Sequence, residues 1–287
     1  MANLKELRNR IVSIGSTMQI TSAMKMVSAA KLKKAQDSIT QMRPYANKLK
    51  EILSNVSATL DASENAFAED RDVKNVLLIV VNSNRGLCGA FNSSIVKLSK
   101  KMVAEYEGQN VKVHVKAIGK KAWDAYRKTD NIHSENNDIW NDLHFEGAAA
   151  IAEEAMNGFL DGTFDRVEVV YNHFKNAAVQ EATRELFLPV VPTVSENGST
   201  GGDYIYEPSK EEILEDLIPT SLKIQIFKAL LDSNASEHGA RMTAMHKATD
   251  NANDLKNQLT LDYNKARQAA ITNEILEIVG GAEALNG

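Results

Sequence analysis

The turn at residues 84–89, NRGLCG, is the first candidate for chemistry in this sequence. It follows an apolar run at residues 76–81 and precedes a helical pattern, and glycines before a helix N-terminus can hold a phosphate group. The sequence shows neither GxxxxGK[ST] nor GxGxxG at this point. We therefore interpret the segment as a tight strand-to-helix turn, in which Cys88 is a small packed side chain rather than a nucleophile.

Histidine, cysteine and acidic side chains show no spacing typical of a metal or catalytic site. The six histidines form neither an HExxH motif nor a cluster with cysteine. Cys88 is the only cysteine, which excludes an internal disulfide and fits a reducing cytoplasm. We therefore expect no catalytic residue, no metal and no cofactor.

Polar side chains near the end of the chain are the remaining candidate site. Seven residues are about two helical turns and three are nearly one, which places Arg267, Glu274 and Glu277 near one helix face. Their alanine and isoleucine neighbours leave little solvated surface, and a desolvated charge needs a partner. For Glu274 alone, a solvated position is a sufficient explanation. The set comprises Arg267, Gln268, Thr272, Glu274 and Glu277, with Arg241 about seven turns earlier on the same predicted helix.

Two long helices are predicted at the ends of the chain. Counting alternately three and four from Leu4 to Leu60 meets fourteen apolar residues in seventeen positions, which indicates a coiled-coil seam. Similar spacing recurs at 213–231 and 255–270, after a capping box at residues 209–212. We expect Pro44 to kink or break the first helix, and Gly280 with Gly281 to end the second.

The segment between these helices alternates strand and helix patterns. Residues 76–81 (VLLIVV), 111–118 and 166–171 read as strands, and residues 92–107 and 144–160 as helices. This order predicts a Rossmann-like α/β domain with a mostly parallel sheet. The domains are therefore an N-terminal coiled-coil helix at 1–72, the inserted α/β domain at 73–207 and a C-terminal coiled-coil helix at 208–287. The two helical arms should pair as an antiparallel coiled coil.

The charges are unevenly distributed along the chain. The first fifty residues carry ten Lys or Arg against two acids, a net +8 within a chain of net −5. A basic helix can contact nucleic acid, anionic lipid or an acidic protein surface. No zinc-finger spacing or aromatic-interleaved basic run supports nucleic acid. Residues 11–30 are charged only at Lys25 and otherwise small or mildly polar, which suits a helix loosely encircled by other protein.

No targeting or membrane segment is expected. The first ten residues, MANLKELRNR, lack an apolar stretch after their charges, unlike a secretory signal. Residues 11–30 are too polar to span a bilayer.

Four segments resemble the γ subunit family of F-type ATP synthases, of the bacterial type. The final segment is the most specific, through Ile271-Thr272, Glu274, Glu277 and Gly281-Ala282. Asn84 departs from the Asp common in the family, and the cysteine-bearing insert of chloroplast relatives is missing. The segments are residues 14–31 (IGSTMQITSAMKMVSAAK), 84–92 (NRGLCGAFN), 236–245 (SEHGARMTAM) and 265–284 (KARQAAITNEILEIVGGAEA).

The resemblance implies a rotor rather than an enzyme. The chain would be the central stalk of a proton-translocating ATP synthase, which couples rotation of the membrane c-ring to ATP synthesis or hydrolysis in the catalytic subunits. The implied partners are the alpha, beta and epsilon subunits and the c-ring, with no nucleic acid and no membrane insertion. The implied location is peripheral, at the cytoplasmic face of the bacterial inner membrane.

The resemblance also assigns partner contacts. Arg267 and Gln268 would hydrogen-bond a loop of a catalytic subunit, and Met24 and Lys25 on the opposite helix would lie near that contact. From the net charge of +8 in the first fifty residues, we expect the basic side chains Lys31, Lys33 and Lys34 to face acidic elements of those catalytic subunits.

Two other function classes remain open from the sequence. An enzyme could use the α/β domain on a nucleotide, although the missing phosphate-binding motif disfavours it. A coiled-coil tether or scaffold would explain the helical arms alone. Co-purification with nucleotide-binding subunits and a membrane ring distinguishes the rotor from both.

Overall fold

Two long helices flank a five-stranded sheet in the order of the chain. The computed structural model describes residues 4–57, 66–69, 71–190 and 210–286. The helices are α1 (Leu4–Ser57), α2 (Phe91–Glu107), α3 (Lys120–Tyr126), α4 (Phe145–Leu160) and α5 (Lys210–Asn286). The strands are β1 (Asn75–Val81), β2 (Lys112–Ile118), β3 (Ile132–Asn136), β4 (Arg166–Phe174) and β5 (Gln180–Leu188).

The sheet has the strand order β3-β2-β1-β4-β5. The pairs β1–β2, β1–β4 and β2–β3 are parallel, and β5 is antiparallel to β4. Residues 76–81 of β1 are all buried, as expected of a central strand covered on both faces. The predicted Rossmann-like sheet is confirmed, whereas α3 and the edge strands β3 and β5 were not predicted.

Both faces of the sheet are covered by helices. One apolar layer joins β1 and β2 to α2 and α3, through buried side chains such as Met102 and Tyr126. The other layer joins β1 and β4 to α4 and α5, through Phe159, Leu222 and Ile226. Helix α5 is therefore part of the domain core.

The chain forms two compact units, residues 29–241 and residues 1–28 with 242–287. In the smaller unit, α1 and α5 run antiparallel, with the hydroxyls of Thr21 and Thr249 2.9 Å apart. In the larger unit, the charge of Lys31 on α1 acts on Glu237 of α5. Seam positions on α1 are buried at Leu32 and nearby sites of the same three-four spacing. The predicted antiparallel helix pair is confirmed within each unit.

The ends and breaks of the long helices differ from the sequence prediction. Helix α1 continues through Pro44 without a break, and α5 passes Gly280 and Gly281 to end at Asn286. The predicted helix end at the two glycines is wrong, because a cost of ~1 kcal/mol per glycine is small beside helix-favouring neighbours. The predicted capping box depends on Ser209, outside the described residues. Within those residues, no helix is long and apolar enough to cross a bilayer.

Because part of α5 belongs to the core, the loss of stability caused by an Ile→Ala substitution on this helix should depend on its position. Ile226→Ala should lower the free energy of unfolding by about 2–5 kcal/mol, because the side chain is 1% exposed in the core. The matched control Ile275→Ala, at a side chain 55% exposed on the same helix, should change it by less than ~0.5 kcal/mol. Urea unfolding followed by circular dichroism measures both. Equal losses would contradict the assignment of α5 to the core.

Candidate partner-contact sites

The turn after β1 lies where the strand order of the sheet reverses. Strands β2 and β3 lie on one side of β1, whereas β4 and β5 lie on its other side. Open α/β sheets bind ligands at this switch point, outside the carboxyl ends of the strands. Here α5 covers the position, since Cys88 and Phe91 pack against Ala240. Asn82 and Ser83 of the turn are completely buried.

The backbone of the turn is tightly held. The carbonyl oxygen of Arg85 accepts hydrogen bonds from Ser83 Oγ at 2.6 Å, Asn92 Nδ2 at 3.3 Å and Arg241 Nη2 at 3.3 Å. Leu87 has φ 62°, a conformation uncommon for a residue other than glycine, and its side chain is 69% exposed. Strained residues concentrate at functional sites. The sequence interpretation of a structural turn therefore missed the exposed apolar side chain of Leu87.

Arg241, predicted as a partner contact, lies beneath this turn. The residue is 8% exposed, and its guanidinium pairs with Glu237 one helical turn earlier. Its Nη2 also donates to the carbonyl of Gly86 at 3.4 Å. Burial raises the pKa of Glu237, while the positive charge of Arg241 opposes that shift. The sequence analysis missed Glu237, although an acid four residues before an arginine is a recognisable helical pair.

His238 is a neutral group in the same region. Burial, with the nearby positive charges of Arg241 and Lys31, lowers the pKa of His238 to about 4. Its Nδ1 has no hydrogen-bond partner among the described residues. Protonation would place a further charge beside these two cations, so the folded state favours the neutral ring.

The three predicted lysines of α1 are exposed. Lys33 forms an ion pair with Asp37 at 3.0 Å, with 75% of the lysine side chain exposed. Lys31 and Lys34 are also on the surface. An exposed pair of this kind contributes at most ~1 kcal/mol, so these side chains are free to rearrange toward a partner.

Met24 and Lys25 are half-buried in the smaller unit. The pairing of Thr21 with Thr249 sets the antiparallel register and places Met24 and Lys25 level with residues 245–246. Arg267 lies about 21 residues further along α5, roughly 32 Å. The expectation that Met24 and Lys25 lie near Arg267 is therefore wrong.

The last part of α5 is exposed around its whole circumference. Every residue from 271 to 282 is exposed, and so are Arg267 and Gln268. The expectation that its charges have little solvated surface is wrong for the chain by itself. Thr272 donates its hydroxyl to the carbonyl of Gln268 at 2.9 Å, while Glu274 and Glu277 point into solvent. Large apolar side chains are exposed here too: Ile271, Ile275, Leu276, Ile278 and Val279.

An exposed helix with one broad apolar face indicates a surface that another protein covers. Ile278 is 71% exposed and Leu276 is 63% exposed. Contiguous exposed apolar surface is rare unless it is an interaction site. The charged and apolar residues of 267–282 therefore form one candidate contact surface, which we call the α5 tip.

Comparisons with known proteins agree with these features. The family model described as ATP synthase matches residues 3–285. The ATP synthase gamma chain of Flavobacterium johnsoniae is 62% identical, and the match covers 100% of both chains. A chain of the central stalk and c-ring structure of Tetrahymena thermophila mitochondrial ATP synthase aligns with a TM-score of 0.60. It is 27% identical, and the alignment covers 80% of this chain and 99% of that one. A rotor chain of Euglena gracilis mitochondrial ATP synthase shares the fold, with a TM-score of 0.67 at 24% identity over 93% of this chain and 98% of that one.

The burial of His238 predicts a pH-dependent stability. Its pKa in the folded state, about 4, is below the unfolded value of 6.5, so the unfolded state binds more protons between these values. The stability from the neutral ring is therefore lost as pH falls from 6.5 toward 4. Relative to His238→Gln, the wild type should lose ~2 kcal/mol between pH 7 and pH 4.5.

Urea unfolding at the two pH values measures this difference. The control is His246→Gln, which removes an exposed histidine from the same helix. A wild type and a His238→Gln variant that lose stability in parallel would contradict the buried neutral state.

Proposed function

The chain belongs to the ATP synthase gamma chain family, and we propose that it is the central stalk, or rotor shaft, of an F-type ATP synthase. It couples ion-driven rotation of the membrane ring to ATP synthesis or hydrolysis in the catalytic subunits. The chain is not itself the catalytic subunit. The α5 tip carries this proposal, because it is a helix that is exposed on every side and has a broad apolar face.

A shaft that turns inside other subunits needs a surface that those subunits shield from water without fixing it in one orientation through directional contacts. At the α5 tip, apolar side chains cover one broad face of the helix and supply non-directional burial. The part of α1 in the smaller unit also exposes apolar side chains, including Val12 at 63% and Ile20 at 60%. Because non-directional contacts tolerate rotation, this composition fits a helix pair enclosed by a ring of subunits.

Each part of the chain has a proposed partner. The terminal segments at 1–72 and 208–287 contact the alpha and beta subunits, and the α/β domain at 73–207 contacts the epsilon subunit and the c-ring. Arg267, Gln268, Thr272, Glu274 and Glu277 are the proposed polar contacts of the α5 tip, and Met24 and Lys25 act at a separate level of the shaft. Arg241 supports the turn that presents Leu87. The proposed location is peripheral, at the cytoplasmic face of the bacterial inner membrane.

An asymmetric shaft can place distant catalytic sites in different states. The helix pair and the α/β domain differ from side to side, so each orientation of the shaft presents different side chains to each surrounding subunit. Coupling by a rigid element with discrete orientations needs no nucleotide site on the shaft. An enzyme acting at the turn after β1 is disfavoured, since α5 covers that position. A simple tether does not explain the exposed apolar tip.

The proposed contacts of the α5 tip predict a specific functional loss. Replacing Arg267 with Ala and Gln268 with Leu should lower ATP turnover and ion pumping about 10-fold, because charged hydrogen bonds of this kind contribute ~1.5–3 kcal/mol. The isolated chain should keep its helicity, since both side chains are exposed. ATP hydrolysis and ion uptake of the purified complex in vesicles provide the measurement.

Affinity purification of the tagged wild-type chain is the control for this experiment. It should recover large nucleotide-binding subunits and the membrane ring. Recovery of the chain without them would contradict the shaft. A double variant that assembles and pumps at the wild-type rate would instead remove Arg267 and Gln268 from the contact surface.

The basic surface of α1 predicts a salt-dependent effect. Reversing Lys31, Lys33 and Lys34 to Glu should weaken assembly or coupling most at low ionic strength, because exposed charge pairs contribute ~0.2–1 kcal/mol each and are screened by salt. The matched control reverses Lys97, Lys100 and Lys101, three exposed lysines on α2. Complex yield and ion uptake at two salt concentrations measure the effect, and equal behaviour of the two triple variants would refute the assignment.

A further inference from the structure

A row of polar anchors joins α5 to the carboxyl edge of the sheet. Oδ2 of Asp232 lies 2.8 Å from Nδ1 of His173, which follows Asn172 on β4. Ser236, one turn later on α5, donates its hydroxyl to the carbonyl oxygen of Asn172 at 3.0 Å. Asp232 is 1% exposed and Ser236 is 0% exposed, so both α5 side chains are buried, while the His173 side chain is 36% exposed.

Two further contacts lie beside these anchors, one between β4 and α2 and one between α5 and the loop after β4. The side chain of Asn172 donates from Nδ2 to the carbonyl oxygen of Phe91 on α2 at 3.1 Å. On α5, a Cβ at Gly239 would lie 3.2 Å from the backbone of Ala177, so the helix and the loop after β4 approach closely. Asp232, Ser236 and Gly239 follow the three-four spacing of one helix face. A single face of α5 is therefore matched to specific atoms of the domain.

Apolar burial alone does not fix the axial and rotational position of a helix, which we call its setting. The contacts of Leu222 and Ile226 with the core are non-directional, and they change little when a helix slides or turns slightly. The polar anchors respond differently, because a shift of one turn separates Asp232 and Ser236 from their partners. Buried polar groups without partners are strongly unfavourable, so the anchors select one position among many.

We propose that Asp232 and Ser236 are positioning residues that hold α5 at one axial and rotational setting on the α/β domain, so that rotation passes from that domain to the helix without slip. The positioning rests on the contacts of residues 29–241, and its link to rotation rests on the proposed function. The two parts are tested separately.

Cys88 provides a probe of the helix setting in the isolated full-length chain. It is the only cysteine, it is 1% exposed, and it packs against Ala240 of α5. In the variant Asp232→Ala/Ser236→Ala, the thiol should react with a disulfide reagent about 10-fold faster without denaturant, since α5 opens locally. The rate should depend weakly on low urea, because local opening exposes little surface.

Ser233→Ala is the matched control. Ser233 is also 0% exposed and lies on the same stretch of α5, but its hydroxyl has no hydrogen-bond partner among the described residues. In the Ser233→Ala variant, the Cys88 thiol should react at the same rate as in the wild type. Asp232→Asn should also keep the wild-type rate, because the amide oxygen still accepts a hydrogen bond. A double variant that reacts at the wild-type rate, or only through a urea-steep global unfolding, overturns the positioning role.

The second measurement uses the assembled complex in vesicles. The ratio of ions transported to ATP hydrolysed should fall about 3-fold in Asp232→Ala/Ser236→Ala and stay unchanged in Ser233→Ala, since each lost anchor weakens the fixed setting. If the double variant does not assemble, Ser236→Ala alone carries the measurement. An unchanged ratio overturns the slip-free coupling. A wild-type chain that supports no coupled transport overturns the proposed function, while the Cys88 result still decides the positioning role.

Discussion

The burial of one stretch of α5 in the α/β domain is the interaction on which the rest of the structure depends. Leu222, Ile226 and Leu230 are each at most 4% exposed, and burying such a side chain contributes about 1.5–3 kcal/mol. The same helix is exposed on all sides at residues 271–282. A single continuous helix thus belongs to a globular core at one stretch and forms an uncovered contact surface at another, which is the property a shaft requires.

Apolar burial provides the stability of this arrangement, and polar contacts provide its specificity. Glu237 and Arg241 form a buried ion pair, and breaking such a pair from one side costs about 3–5 kcal/mol. Replacing both partners with apolar residues would cost less, so the pair is poorly explained by stability alone. Its guanidinium also holds the carbonyls of Arg85 and Gly86. The pair therefore links the setting of α5 to the strained turn that exposes Leu87.

The sequence revealed those features that depend on local pattern. The three-four spacing identified both long helices, and the apolar run at 76–81 identified the central strand. Strands β3 and β5 lie at the sheet edges with mixed polar patterns, so no periodic signal marks them. At the candidate sites, residue type identified Arg267 and Arg241 as notable cations. Sequence could not show that the first is exposed and the second buried, because burial depends on contacts between distant segments. For the same reason, sequence could not show which residues of α5 lie opposite Met24 and Lys25 of α1. That assignment required the helix register set by Thr21 and Thr249.

The covered switch point explains how a Rossmann-like sheet serves a mechanical function. In an open sheet of this type, the crevice beyond β1 and β4 is the position for a ligand. Here Ser236 and Asp232 of α5 contact Asn172 and His173 in that region, and Arg241 fills the space under the turn. A ligand site needs groups that stay unpaired until the ligand arrives, whereas a rigid joint needs the same groups paired within the chain. The polar groups at this edge of the sheet are paired with α5. These contacts therefore both occupy the position where a nucleotide would bind and fix the helix to the domain.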